Sequence, residues 1–165
     1  MSALLTAVRK WCMLAFLALA MNLNAQTGAR QGLVDMLLEY LSVRYPGSSP
    51  DEVLYISVKN QRLFHVKEGR MLDEYAISTS CHGLGSERDS YRTPTGLHYI
   101  RERIGEDLPA WSIFRERQCT GELADSCNGG QEDLITSRIL RLSGMESGLN
   151  AGGDVDSYDR SIYIH

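Results

Sequence analysis

What this sequence lacks narrows it quickly. Basic residues are outnumbered, 17 against 21 acidic, for a formal net charge of -4. A nucleic-acid binder needs a basic face to neutralise phosphates, so no nucleic-acid partner is expected. No apolar run reaches the roughly 20 residues that would span a bilayer. Four cysteines in 165 residues are too few for a disulfide-framework protein. Neither a Cys-x-x-Cys nor a His-x-His spacing occurs, and the acids Asp154, Asp156 and Asp159 lack the spacing of a calcium loop, so no metal site is expected. No internal repeat or low-complexity tract interrupts the chain. What remains is 43% hydrophobic, an ordinary content for one mildly acidic globular domain.

The first 25 residues read as an address. Arg9 and Lys10 precede an apolar run, Trp11 to Met21, and Leu23-Asn24-Ala25 ends on a small residue before Gln26. That three-part layout is the layout of a secretory signal peptide, against which stand a buried helix or an uncleaved anchor. Its removal would take two basic residues and no acid, leaving the remainder more acidic. Export would place the protein in the periplasm or cell envelope, touching the membrane only during passage. In that oxidising setting Cys119 and Cys127, which flank Thr-Gly-Glu-Leu-Ala-Asp-Ser, are a candidate disulfide, although spacing fixes no connectivity.

Beyond the leader the hydrophobic period changes once. Leu33, Val34, Leu37, Leu38 and Leu41 recur at helical spacing and predict an amphipathic helix over Gln31 to Arg44, stopped by Pro46-Gly47-Ser48-Ser49-Pro50. Residues 26–50 are thus a helix and linker, and residues 51–165 form the main domain. There the period falls to two. Val53–Val58, Arg62–Lys67 and Asp73–Thr79 predict an antiparallel meander joined by short turns. Ser80–Arg92 is polar and predicted as a loop, and Thr93-Pro94-Thr95-Gly96 as a tight turn into a strand at Leu97–Ile104. An irregular stretch to about Asp133, a strand at Ile135–Leu142, a Gly-rich loop at Gly148–Asp156 and a last strand at Ser161–His165 complete a mainly β domain with long loops, led by one helix.

Four segments, in order, resemble the L,D-transpeptidase catalytic domain of bacterial cell-wall enzymes. They are VLYISVKNQRLFHVKEGR; EYAISTS followed after a loop by YRTPTGLHYI; DLITSRILRLSG; and the terminal DRSIYIH. The resemblance runs from Val53 to His165 and implies a β-sandwich or barrel with its C-terminal strands missing here. It also implies a cysteine nucleophile that attacks a peptidoglycan tetrapeptide stem after meso-diaminopimelate. D-Alanine is released, and the acyl group passes to another amine or to water, with no cofactor. His165 matches the first histidine of the family motif, the proton donor and acceptor to the cysteine. The Gly, the second His and the Cys of the following Ser-His-Gly-Cys pattern are not among these residues, so the 165-residue chain is expected to be inactive. The alternative is a non-catalytic envelope module that binds peptidoglycan or a partner protein.

Other candidates are weaker on chemistry. Tyr91, Arg92, Thr95 and Tyr163 are candidate substrate contacts, Arg92 because a guanidinium can grip a carboxylate with two bonds. The Thr-Pro-Thr-Gly turn equally needs its Pro and Gly for backbone reasons alone. Cys81 is a substitute nucleophile only if His82 can reach it, and neighbours on an extended chain point to opposite sides. His65 is expected to face outward on the opening hairpin, and His98 to lie on a strand face.

Overall fold

The turns explain the strands. In the computed structural model, which describes residues 28–47, 50–124 and 134–165, the first meander consists of β1 (Glu52–Ser57), β2 (Arg62–Lys67) and β3 (Arg70–Ala76), paired antiparallel in that order. Lys67 pairs with Arg70 across Glu68-Gly69, both at positive φ. That is the geometry whose twist matches two flanking strands, and Gly69 adopts it without strain. The first three residues of β3, Arg70 to Leu72, precede the predicted start at Asp73 because Leu72 is an extra residue: Met71 opposes Val66 and Asp73 opposes His65. A bulge of this kind breaks the alternation by which a strand is recognised.

Residues 28–44 are helical (α1), longer at the N-terminal side than the predicted Gln31–Arg44. Val34, Leu37 and Leu41 are buried at helical spacing, and Leu63, Phe64 and Val66 of β2 are buried too. Gln31 Nε2 donates to Gly69 O, and the Arg30 guanidinium meets Glu74, so α1 is tied to the β2–β3 end of the meander. These elements make one unit, through Ser78. His65 lies on β2 with Nε2 2.6 Å from Glu52 Oε1. A cavity of about 290 Å³ lined by Arg30, Met71, Leu72, Asp73 and Glu74 belongs to this unit and contains none of the candidate site residues.

The second unit, Thr79 to His165, holds two further antiparallel sheets. One is β4 (His98–Ile104), β8 (Ile139–Gly144) and β9 (Tyr163–Ile164), in that order; the other is β6 (Gln118–Leu123), β5 (Ser112–Arg115) and β7 (Ile135–Thr136). The protein is mainly β, and among the described residues no sheet closes into a barrel. Ser112, Ile113, Phe114, Ile139 and Ser143 are buried here. No helix among the described residues is long and apolar enough to cross a membrane.

Three expectations change. The stretch read as irregular contains the β5–β6 hairpin, whose turn residues Glu116 and Arg117 both take positive φ without any Gly or Asn to announce it. The strand read over Ile135–Leu142 is two strands, broken at Ser137, which has φ +66 and receives Trp111 N–H on its hydroxyl. The terminal strand shortens to Tyr163–Ile164, and a single 3-10 turn at Gly153–Val155 lies in the Gly-rich loop.

Candidate functional site

The Thr-Pro-Thr-Gly turn is held from below by a buried amide. Asn150 is fully buried; its Nδ2 donates to Thr95 O at 2.9 Å and Leu97 O at 3.1 Å, and its Oδ1 accepts Glu146 N–H at 2.9 Å. Leu97 N–H in turn donates to Glu146 Oε2. Gly96 has φ +92, and a Cβ there would fall 2.1 Å from Glu146 Oε2 and 2.8 Å from Asn150 Nδ2. Glycine is therefore required by both backbone and space. Gly144 faces the same asparagine, a Cβ falling 2.0 Å from Asn150 O. Sequence reasoning missed Asn150, because nothing in a Gly-rich stretch marks which polar residue turns inward.

His98 follows directly. Its Nδ1 lies 3.0 Å from Gly96 O and its Nε2 2.9 Å from Ser157 Oγ. A carbonyl only accepts, so Nδ1 carries the proton and Nε2 accepts from the serine hydroxyl. Burial pushes the His98 pKa down, against the Gly96 carbonyl and the nearby Glu146 charge, which raise it. A neutral imidazole beside a serine is the beginning of a nucleophile pair. Ser157, however, is fully buried, so the pair pins β4 to the segment after Val155 rather than meeting a substrate.

That segment, 156–162, is the hub of the unit. Asp156 accepts from the backbone N–H groups of Gly152, Tyr158 and Asp159, which lower its pKa, Gly152 most. Arg160 reaches Arg92 O, Gly85 O and Ser90 Oγ. Asp156 and Arg160 thus tie the second unit together, whereas Asp154 and Asp159 are exposed.

Tyr91 and Arg92 are exposed, with Tyr91 at φ +56 and its carbonyl taking the Ser80 hydroxyl. With Thr95 they are grouped at the turn. Cys81 is exposed; the His82 ring lies tilted against Tyr91, 6.2 Å between centroids, and among the described residues the Cys81 thiol has no hydrogen-bond partner. Cys119 is exposed on β6, and Cys127 lies outside the described residues, as do residues 1–25, read from the sequence as a signal peptide.

Tyr163 and His165 stand elsewhere. Tyr163 opposes Arg141 and Ile164 opposes Leu140, whereas His98 opposes Gly144. The four residue steps from Leu140 to Gly144 are about 13 Å of strand. The structure therefore gathers Tyr91, Arg92 and Thr95 toward one end of β8 and Tyr163 and His165 toward the other. His165 is exposed, its ring edge-on to Tyr163 at 5.8 Å. Among the described residues no group of three or more His, Cys, Asp or Glu is arranged to hold a metal ion.

One cluster was not anticipated. Glu102 of β4 and Arg141 of β8 are opposite one another, with Arg141 Nη1 2.8 Å from Glu102 Oε2. Tyr158 donates its hydroxyl to Glu102, and two guanidiniums lie over its ring, Arg101 at 4.0 Å and Arg141 at 3.9 Å from the centroid. The Tyr158 hydrogen bond and then Arg141 hold the Glu102 carboxyl below its usual range. No sequence pattern signals it, because its members come from three separated segments. Compared with family models, curated proteins and solved structures, the chain matches none.

Proposed function

We propose that this chain is an exported L,D-transpeptidase-like protein of the β-sandwich type, acting on peptidoglycan stem peptides in the periplasm or cell envelope. The observation that carries the reading is the order of its four segments, ending in Ser-Ile-Tyr-Ile-His. The mainly β architecture supports it, as does the position of Tyr163-Ile164 as a strand leading directly into His165.

The chemistry assigned to His165 is proton transfer. A cysteine thiol is mostly protonated at neutral pH, and an adjacent imidazole makes its thiolate accessible. The sulfur would add to the meso-diaminopimelate carbonyl, the peptide bond from that carbonyl to D-alanine would break to leave a thioester, and the imidazolium would deliver its proton to the departing D-alanine amine. The thioester would then pass its acyl group to an amine or to water, returning the thiol. Tyr163 would hold the imidazole edge-on. The nucleophile for these steps is not among the 165 residues, so this polypeptide is expected to release no D-alanine from tetrapeptide stems.

The test is the reading frame past His165 together with mass-spectrometric assay of D-alanine release. A following Gly and a Ser-His-Gly-Cys segment are expected, and in the extended protein His165→Ala should lower turnover on the order of 100- to 10,000-fold. Absence of that cysteine, or release by the 165-residue chain alone, overturns the proposal. The first outcome leaves the non-catalytic envelope module; the second revives Cys81.

A further inference from the structure

We infer that Arg101, held over the Tyr158 ring, is the binding group for a carboxylate of a peptide ligand; taking that peptide to be a wall stem rests on the function proposed above, while the carboxylate site itself does not.

Consecutive residues of a strand normally point to opposite faces. Here both Arg101 and Glu102 meet Tyr158, because the β4–β8 register shifts between Ile100 and Glu102 and leaves Arg101 as the extra residue. A bulge of this kind re-aims a side chain. The consequence is that two guanidiniums lie over one ring, and their situations differ. Arg141 is largely buried and committed to Glu102, the Tyr158 hydroxyl and Tyr158 O. Arg101 is exposed and, among the described residues, makes no hydrogen bond and no ion pair.

A guanidinium stacked on an aromatic face keeps its N–H donors in its own plane, and those donors form a fork matched to a carboxylate. Stacking also removes much of the side-chain freedom that binding would otherwise have to restrict. Arg101 is thus preorganised, with its fork unused. The acids nearby select the ligand. Glu102 and Asp156 both lie within the electrostatic reach of Arg101, so a doubly charged phosphate meets about twice the repulsion that a single carboxylate does.

The location suits a peptide. Opposed residues of an antiparallel ladder share a face, so Glu102, Arg141 and Tyr163 form a row across the sheet, and His165 follows Tyr163 by two residues. Arg101 therefore stands roughly 10 Å across and 10 Å along the sheet from His165, a few residues of extended peptide.

The experiment titrates the full chain with a muropeptide tripeptide ending in meso-diaminopimelate, with an acetylated dialanine carrying a free C-terminus, and with the C-terminal amide of each. The readouts are calorimetry and the NMR shift of Arg101 Nε–H. Carboxylate ligands should bind at least about tenfold more tightly than their amides. Arg101→Gln should erase that difference, and Arg101→Lys should keep only part of it. Amide dispersion in each variant checks folding, and the amidated ligands test the same point without any substitution. No saturable binding by either carboxylate, equal affinity for acid and amide, or unchanged preference in Arg101→Gln overturns the site. Carboxylate-dependent binding of the dialanine with no preference for the muropeptide keeps the site and counts against the wall reading. Muropeptide binding untouched by Arg101→Gln does the reverse.

Discussion

Replacing Asn150 by Ala should be the most damaging single polar substitution in the second unit. The side chain is fully buried and makes three hydrogen bonds, to Thr95 O, Leu97 O and Glu146 N–H. Alanine takes the amide away from Thr95 O and Glu146 N–H and leaves a cavity, while Leu97 O keeps the Met145 N–H. Each buried group left unpaired costs about 1–3 kcal/mol, so two such groups and a small cavity total about 3–5 kcal/mol. Against a whole-domain stability of about 5–15 kcal/mol that is a large fraction, and a unit of this size should melt roughly 15 °C lower or more. Asn150→Asp should fare no better: its oxygens can still accept Glu146 N–H but would face two carbonyls that need donors. Urea unfolding measures the loss, and amide exchange at Leu97 and Glu146 localises it. Leu149→Ala, at a neighbour 40% exposed, is the control and should cost under about 1 kcal/mol. If Asn150→Ala costs no more than that control, the amide is not what holds the turn.

Two further outcomes follow from the same corner. Because burial lowers the His98 pKa, the unfolded chain takes up its proton first as pH falls; the stability owed to the neutral ring is complete above about pH 6.5 and is lost progressively below it, toward the lowered folded value. Glu102 and Asp156, also lowered, act only at more acidic pH, so His98→Gln should flatten urea stability between about pH 7 and 5 while leaving the loss below about pH 4.5 intact; an unchanged slope between pH 7 and 5 refutes the assignment. Gly96→Ala and Gly148→Ala share a positive-φ strain, +92 and +75, but only Gly96 has neighbours within contact distance of a new Cβ. Thermal melts should show a cost of about 1 kcal/mol at Gly148 and at least twice that at Gly96, and equal costs would mean that the packing against Glu146 and Asn150 is slack.

The first unit was legible because its signals are local. Leu37 and Leu41 repeat on one helical stripe, Leu63 to Val66 sit in a short β-rich run, and Gly69 marks the turn between β2 and β3. Legibility failed where the backbone did something its residues do not announce. Glu116 and Arg117 make a hairpin turn with positive φ and no glycine, and Ser137 breaks a strand whose composition reads as continuous. Leu72 and Arg101 are bulge residues, and a bulge appears only when two strands are aligned against each other.

The candidate site divides along the same line. The order of the family-like segments, the Gly requirement in Thr-Pro-Thr-Gly and the scarcity of metal-binding spacings are properties of the chain read end to end, and the sequence alone determined them. Which polar groups meet was decided only in three dimensions: Asn150 beneath Thr95, Ser157 against His98, and Arg101 and Arg141 about Tyr158. The separation of Thr95 from His165 along β8 was decided there too. The physical reason is that periodicity and propensity act over a few neighbouring residues. A hydrogen bond across 55 positions, as between Asn150 and Thr95, depends instead on strand register and on how the intervening chain folds back.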